Sequence, residues 1–192
     1  MRDRATPELD PPGAGIPGYE RQVIGAGLRA AANFLSKDRL TELFRAEAEE
    51  AMALARGIDE DQGRRRVLVG RLFGMEDSSR DWSIYMTLEH LVIVNSAIAA
   101  TLPRLFSGLE VSDTVRVQDF KPVPEAGPEQ LEDLANIVER YTDMVDKLGN
   151  LRAGIRYTHP WFGELSAAQW HALAAVHNSV HRRQVKRIMR AL

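Results

Sequence analysis

The stretch RDWSIYMTLEHLVIVNSAIAATLPRL, residues 80–105, decides how the chain must fold. Placed on a 3.6-residue period, Trp82, Ile84, Tyr85, Met86, Leu88, Leu91, Val92, Val94 and Ile98 occupy nearly every side. A helix that is apolar all round is stable only when most of its sides are covered. The stretch therefore predicts a central helix, closed by Pro103 and Gly108. It does not read as a membrane span. Glu89, His90, Asn95 and Ser96 interrupt its longest apolar run, and a span needs about 20 apolar residues.

The helices that would cover it lie on both sides in the sequence. From Asp38 to Arg56, Leu40, Leu43, Phe44, Ala48, Ala51, Leu54 and Ala55 line one face, and Gly57 supplies a stop. Pro128 opens a helix in which Leu131, Leu134, Val138, Tyr141, Val145 and Leu148 recur at three- and four-residue intervals. Ser166 followed by Gln169 is a capping-box signature, and a last helix runs from there to about Arg190. A weaker helix, Tyr19 to Leu35, contains Gly25 and Gly27. Between these, Asp59 to Ser79 is irregular, with room for one short helix over 64–73. Gly108 to Gly127 is a crossover loop whose Val111, Val115, Val117 and Phe120 allow a short extended stretch. The first 18 residues are rich in proline and glycine and read as a flexible arm. The expected fold is all-α: an antiparallel four-helix bundle with a long crossover and an extra N-terminal helix, residues 19–192 forming a single domain.

Composition narrows the chemistry. With 192 residues and no cysteine, the chain can bury a full core without disulfides, and it has neither thiolate ligands nor a cysteine nucleophile. Any metal site must use His, Asp, Glu or backbone oxygen, and any thiol must come with a substrate. The net charge of −2 gives no global field to recruit nucleic acid or acidic lipid. The start carries no apolar signal segment, and the expectation is a cytoplasmic protein with no nucleic-acid or membrane partner. Arg64, Arg65 and Arg66 could grip a phosphate; a solvated loop face is the plainer reading.

Five histidines remain to be placed: His90, His159, His171, His177 and His181. His177 and His181 are four apart on the last helix, so both rings leave one face and two nitrogens can converge on one ion. By itself that spacing also fits two ordinary surface histidines. The face, however, carries Trp170, Leu173, Ala174, Gln184 and Ile188 as well, and is the core stripe. Histidines on a core stripe need partners. His90 lies near the middle of the most apolar helix, and bundle cores are where facing helices assemble metal sites. His171 is turned about 80–120° from the pair and reads as a rim residue. His159 precedes Pro160 in an aromatic loop, and neither it nor His171 is counted as a ligand. Glu89 points about 100° away from His90 and reads as an arginine's partner rather than a base. Trp82, Trp161, Phe162 and Trp170 could wall a pocket, although core packing is the default for each.

The run His159-Pro-Trp-Phe-Gly-Glu-Leu-Ser166, then Trp170, then His177-x-x-x-His181-x-x-Gln184, resembles the end of the DinB-like superfamily. Ser83 to Ile98, with His90 in its middle, is similar to the second helix of that bundle. The resemblance covers about residues 38–190. It implies a four-helix bundle with one long crossover, and a single divalent metal, zinc or nickel foremost, held by His90, His177 and His181. It also implies a relation to transferases and isomerases that use low-molecular-weight thiols, although many members have no known activity. One departure stands out: no acidic residue matches a family general base.

Three neutral imidazoles would leave an ion with an open position, the mark of a catalytic site. A thiol bound there would ionise and could attack an electrophilic small molecule; an activated water attacking a carbonyl would make the protein a hydrolase instead. A metal- or small-molecule-binding bundle without turnover, or a bundle that merely associates with a partner, stays open. Gln184, one turn beyond His181, could orient a ligand from behind or could be a solvent-side residue. The stretch 59–79 and the loop 157–165 are expected to flank the mouth of the site. The extra apolar helix leads to the expectation of a homodimer. A single bound ion requires the three ring nitrogens to approach one another to about 3–3.5 Å.

Overall fold

The computed structural model describes residues 8–111, 116–152 and 154–192. Residues 1–7 of the expected arm, and Val115 of the expected extended stretch, lie outside the described residues. The helices are α1 (Gly18–Phe34), α2 (Lys37–Ala55), α3 (Glu60–Arg64), α4 (Ile84–Phe106), α5 (Gln130–Lys147) and α6 (Ala167–Met189). Two small antiparallel ribbons accompany them. β1 (Val67–Leu68) pairs with β2 (Asp81–Trp82), and β3 (Arg156–His159) pairs with β4 (Gly163–Ser166).

Helices α2, α4, α5 and α6 form the bundle. Cross-helix pairs give their directions. Thr41 meets His171 and Phe44 meets Asn178, so α2 and α6 run the same way. Lys37 reaches the carbonyls of Val145 and Leu148 while Phe44 stacks on Tyr141, so α5 runs opposite to α2. Gln184 reaches Ser79 and His177 meets His90, so α4 runs opposite to α6. Because α4 and α5 run alike, the chain must return the length of the bundle between them, and the residues after Ser107 make that crossover.

Serine caps start three of these helices. Ser36 accepts from the Arg39 N–H and Ser83 from the Met86 N–H, each at 3.1 Å, and Ser166 forms the expected reciprocal box with Gln169. Pro103 does not end α4, which continues to Phe106. Its ring removes a donor but leaves its carbonyl, and that carbonyl accepts the Ser107 N–H at 3.0 Å. By length and composition α4 is apolar enough to cross a membrane; here it is one of the four bundle helices, about half buried, with Leu88, Leu91, Leu102 and Leu105 fully buried.

Three local expectations are corrected. The short helix lies at 60–64 rather than 64–73, because Asp59 and Gln62 form a capping box there and Val67 and Leu68 are taken into β1. Residues 117–120 form a 3-10 turn rather than an extended stretch. The described part of the arm is not a free tail. The N–H groups of Gly13 and Gly15 each donate to Glu76 Oε1 at 2.8 Å, that of Asp10 donates to Asp77, and Ile16 is buried. Helix α1 packs on α6 through Leu28 and Ala32, and its buried Glu20 pairs with Arg71 and the Gly74 N–H. Most of the apolar stripe that motivated a dimer is thus covered within the chain, leaving Tyr19, Val23 and Phe34 exposed. The arginine triplet is divided: Arg64 pairs with Glu60 and Arg66 with Asp81.

His171 is not a rim residue. It is fully buried where α2, α5 and α6 meet. The turn that takes it off the face of His177 aims it at another neighbour rather than at solvent, since α6 packs against α1, α2 and α4. Its proton can be placed. The Thr41 hydroxyl donates to Lys37 O, so Thr41 accepts from His171 Nε2–H at 3.1 Å, and the Tyr141 hydroxyl donates to Nδ1 at 2.9 Å. Burial pushes this histidine down to about 4 from an ordinary 6.5. The unfolded chain therefore binds the proton first as pH falls. Stability is full above about pH 6.5 and declines between about 6.5 and 4, on the order of 3 kcal/mol from this residue. Urea unfolding with a chelator present, at about pH 7.5 and about pH 4.5, is expected to show at least that loss, since the other buried histidines lose stability over the same range. His171→Gln, which can donate and accept but cannot titrate, is expected to lose less by about that amount.

Candidate metal centre

His90 comes from the middle of α4, and His177 and His181 from successive turns of α6. Because the two helices run oppositely, the residue 90 level faces the residue 177–181 level. The ring centroids are 4.9 Å apart for His90–His177 and 4.5 Å for each of the other two pairs. His90 Nε2 and His177 Nε2 are 3.0 Å apart, and one ligand nitrogen from each of the three residues lies within 4.8 Å of the others. His90 and His181 are buried and His177 is half-buried.

The hydrogen bonds behind the rings settle two tautomers. A carbonyl can only accept, so the 2.6 Å contact between His90 Nδ1 and Phe120 O makes Nδ1 the protonated nitrogen. Gln184 donates its amide to Ser79 O at 2.6 Å, which turns its oxygen toward His181 Nδ1 at 2.8 Å. His181 is therefore also protonated on Nδ1. Both rings hold an Nε2 lone pair toward the cluster, as ligating imidazoles do. Gln184 is fully buried and acts from behind His181; it is not a solvent-side residue.

His177 has no such anchor. Among the described residues its buried Nδ1 finds no hydrogen-bond partner, whichever nitrogen carries the proton. If Nδ1 carries the proton, the Nε2 lone pairs of His177 and His90 confront each other at 3.0 Å, an arrangement a cation between them would relieve. If Nε2 carries it, one hydrogen bond joins the two rings. The donor set is neutral in both cases. Burial foremost, then the neighbouring rings, hold His90 and His177 well below the ordinary range, and burial takes His181 to about 4. At neutral pH none of the three rings carries the second proton that would have to be displaced by a metal. Trp82 lies against the cluster, stacked on His181 at 6.0 Å and tilted over His90 at 5.0 Å.

The histidines lie in the wall of a cavity with about 140 Å³ open to the centre of a water-sized sphere, against the roughly 10–15 Å³ one water requires. Gly74, Met75, Glu76 and Ser79 line it from one connection, and His159, Pro160, Trp161 and Phe162 from another, so both expected flanking segments are there. Trp170 lines it too, while Trp82 stays behind the rings. His159 accepts the Trp161 N–H on Nδ1 at 3.0 Å, and burial lowers it to about 4. Glu89 accepts from the Val123 N–H at 2.7 Å, so its partner is backbone and not an arginine. Sequence reasoning missed Glu76 and Lys121, a buried ion pair at 2.5 Å inside the cavity. No local pattern announces them, because each lies in an irregular segment and only the fold joins residues 45 apart.

A family profile described as the DinB superfamily matches residues 43–185. Among solved structures, the crystal structure of TT2238, a four-helix bundle protein, is similar at a TM-score of 0.54. The two are 22% identical, with 79% of this chain and 98% of that one covered. Among curated proteins no sequence matches.

The position of Gln184 generates a prediction. Gln184→Ala is expected to lower zinc or nickel affinity about 10–100-fold, because His181 loses the partner that fixes its tautomer and aim. Competition against a chromophoric chelator measures this, with circular dichroism to verify the fold; unchanged affinity in a folded variant would remove the positioning role.

Proposed function

The chain belongs to the DinB superfamily, and on that premise we propose that His90, His177 and His181 hold one divalent ion, zinc or nickel, and that the protein transfers a low-molecular-weight thiol to an electrophilic small molecule. The observation that carries the reading is the pair of Nε2 lone pairs, on His90 and His181, fixed by Phe120 O and Gln184 beside an unanchored His177. When bound, the ion would supply Lewis acidity, favouring thiolate over thiol at an open position.

The chain's own residues supply the remainder. Phe120 O and Gln184 hold the two rings so that little reorganisation is needed on binding. The aromatic wall of Trp161, Phe162 and Trp170 keeps water from the reacting atoms. With no cysteine in the chain, the thiol comes from solution. The carboxylates near the cluster favour this chemistry over hydrolysis. Glu76 has its acceptor sites filled by Lys121, Ser78 and the arm, and Glu89, turned to the Val123 N–H, is not among the residues that line the cavity, so neither stands where a base would meet a water there. A binding bundle without turnover is the alternative that the same experiment separates.

Untagged protein purified without added metal is expected to contain one ion per chain by elemental analysis. His177→Ala is expected to lose it while keeping its helical circular dichroism. With a thiol and 1-chloro-2,4-dinitrobenzene, the native protein is expected to accelerate thioether formation, to lose activity on chelation and to recover it with zinc or nickel. Metal content without acceleration, across several thiols, would favour the binding protein; no stoichiometric metal would overturn the reading.

We further propose a homodimer, in which the exposed Tyr19 and Phe73 rings, 6.4 Å apart, and Val23 supply apolar contact. Light scattering at micromolar concentration is expected to return twice the chain mass; a monomer would refute it.

A further inference from the structure

Beside the histidines, the described lining of the cavity carries two full charges, Glu76 and Lys121, and both are spent. Glu76 Oε1 accepts from the Gly13 and Gly15 N–H groups, each at 2.8 Å. Its Oε2 accepts from Ser78 Oγ at 2.9 Å and from Lys121 Nζ at 2.5 Å. That fills the four lone-pair sites of a carboxylate. Lys121 gives its three N–H bonds to Glu76, to Ser78 Oγ at 2.8 Å and to Ser79 Oγ at 3.1 Å, and an ammonium has no fourth. The Thr101 hydroxyl, also in the lining, donates to its own helix at Ala97 O. The remaining wall is chiefly apolar, from Val94 and Ile98 on α4, Leu173, Val176 and Val180 on α6, and Phe162.

A charged group lying against these walls, away from the histidines, would shed its water and find no unpaired counter-charge among them, which is costly. An uncharged apolar body loses nothing and removes both its own surface and the wall's from water. We propose that the electrophilic partner taken by this cavity carries an uncharged aliphatic or aryl body, its one polar head directed at the three histidines. The head rests on the metal reading above. The selectivity for an apolar body rests only on the walls and on the closed set of bonds around Glu76 and Lys121.

The test therefore starts with metal-free protein. Trp161 and Trp170 line the cavity, so their fluorescence reports occupancy. Titration with 1-butanol, 1-hexanol and 1-octanol is expected to show affinity rising about fourfold per methylene. Butanoate, hexanoate and octanoate are expected to bind about tenfold or more weakly than the alcohols of equal length. A Val176→Lys variant places an unpaired ammonium on a wall position that is already 37% exposed. It is expected to raise octanoate affinity about tenfold while leaving the alcohol series unchanged.

Affinity that does not rise with chain length, or carboxylates that bind the native protein as tightly as the alcohols, would overturn the inference even if the protein proves to hold metal. A folded Val176→Lys variant with no gain for octanoate would overturn the argument that free charge is what the cavity lacks. A rising alcohol series in a protein that takes up no metal would sink the metal reading alone and leave the selectivity standing.

Discussion

Helix α6 buries five polar side chains, Gln169, His171, Asn178, His181 and Gln184, and the rest of the structure follows from where their partners must stand. A buried polar group without a partner costs about 1–3 kcal/mol, so each one fixes the placement of another element. His171 requires Thr41 from α2 and Tyr141 from α5. Asn178 requires the Phe44 carbonyl from α2 and Asn95 from α4. Gln184 requires Ser79 O from the segment that leads into β2. Apolar packing alone would tolerate a helix sliding by a turn; these bonds would not, and so they set the level at which His90 meets His177 and His181.

The same accounting separates structural histidines from candidate ligands. Both nitrogens of His171 are satisfied by protein, so it holds the core together and has nothing left for a ligand. At His90 and His181 only Nδ1 is satisfied from behind, and at His177 Nδ1 is not satisfied at all. Three rings meet at one point with two fixed Nε2 lone pairs and one unanchored ring, whereas the other buried polar side chains of α6 find partners on other segments of the protein. Such a concentration of unspent lone pairs is destabilising in itself, and native structures keep one where function requires it.

Much of this was legible in the sequence, for reasons that can be stated residue by residue. The apolar surround of 80–105 required a central helix, Ser166 with Gln169 marked the start of α6, and the i, i+4 spacing put His177 and His181 on one face. Periodicity reports which side of a helix is polar. It does not report whether that side faces water or a second partner helix, and His171 was misplaced for that reason. The irregular segments were hardest. Residues 59–79 and the crossover carry Glu76, Phe120 and Lys121 with no repeat to reveal them, because their roles arise from contacts between residues tens of positions apart. The resemblance supplied the likeness of Ser83–Ile98 to a known helix, which no spacing rule could.

The crossover deserves to be seen as part of the site and not only as the link between α4 and α5. Phe120 O receives the proton of His90 Nδ1, and the next residue, Lys121, reaches Glu76. Glu76 in turn holds the backbone of Gly13 and Gly15. One chain of bonds thus runs from the arm through residue 76 to the crossover and ends on the ring of His90. The charge of Lys121 also helps to keep His90 and His181 neutral, while Glu76 cancels it at longer range. Burying an ion pair costs more than an apolar pair of similar shape, so stability alone is weak grounds for its presence. It ties two irregular segments to one imidazole, which a pair of leucines could not do, and its mutual pairing leaves no free charge in the cavity.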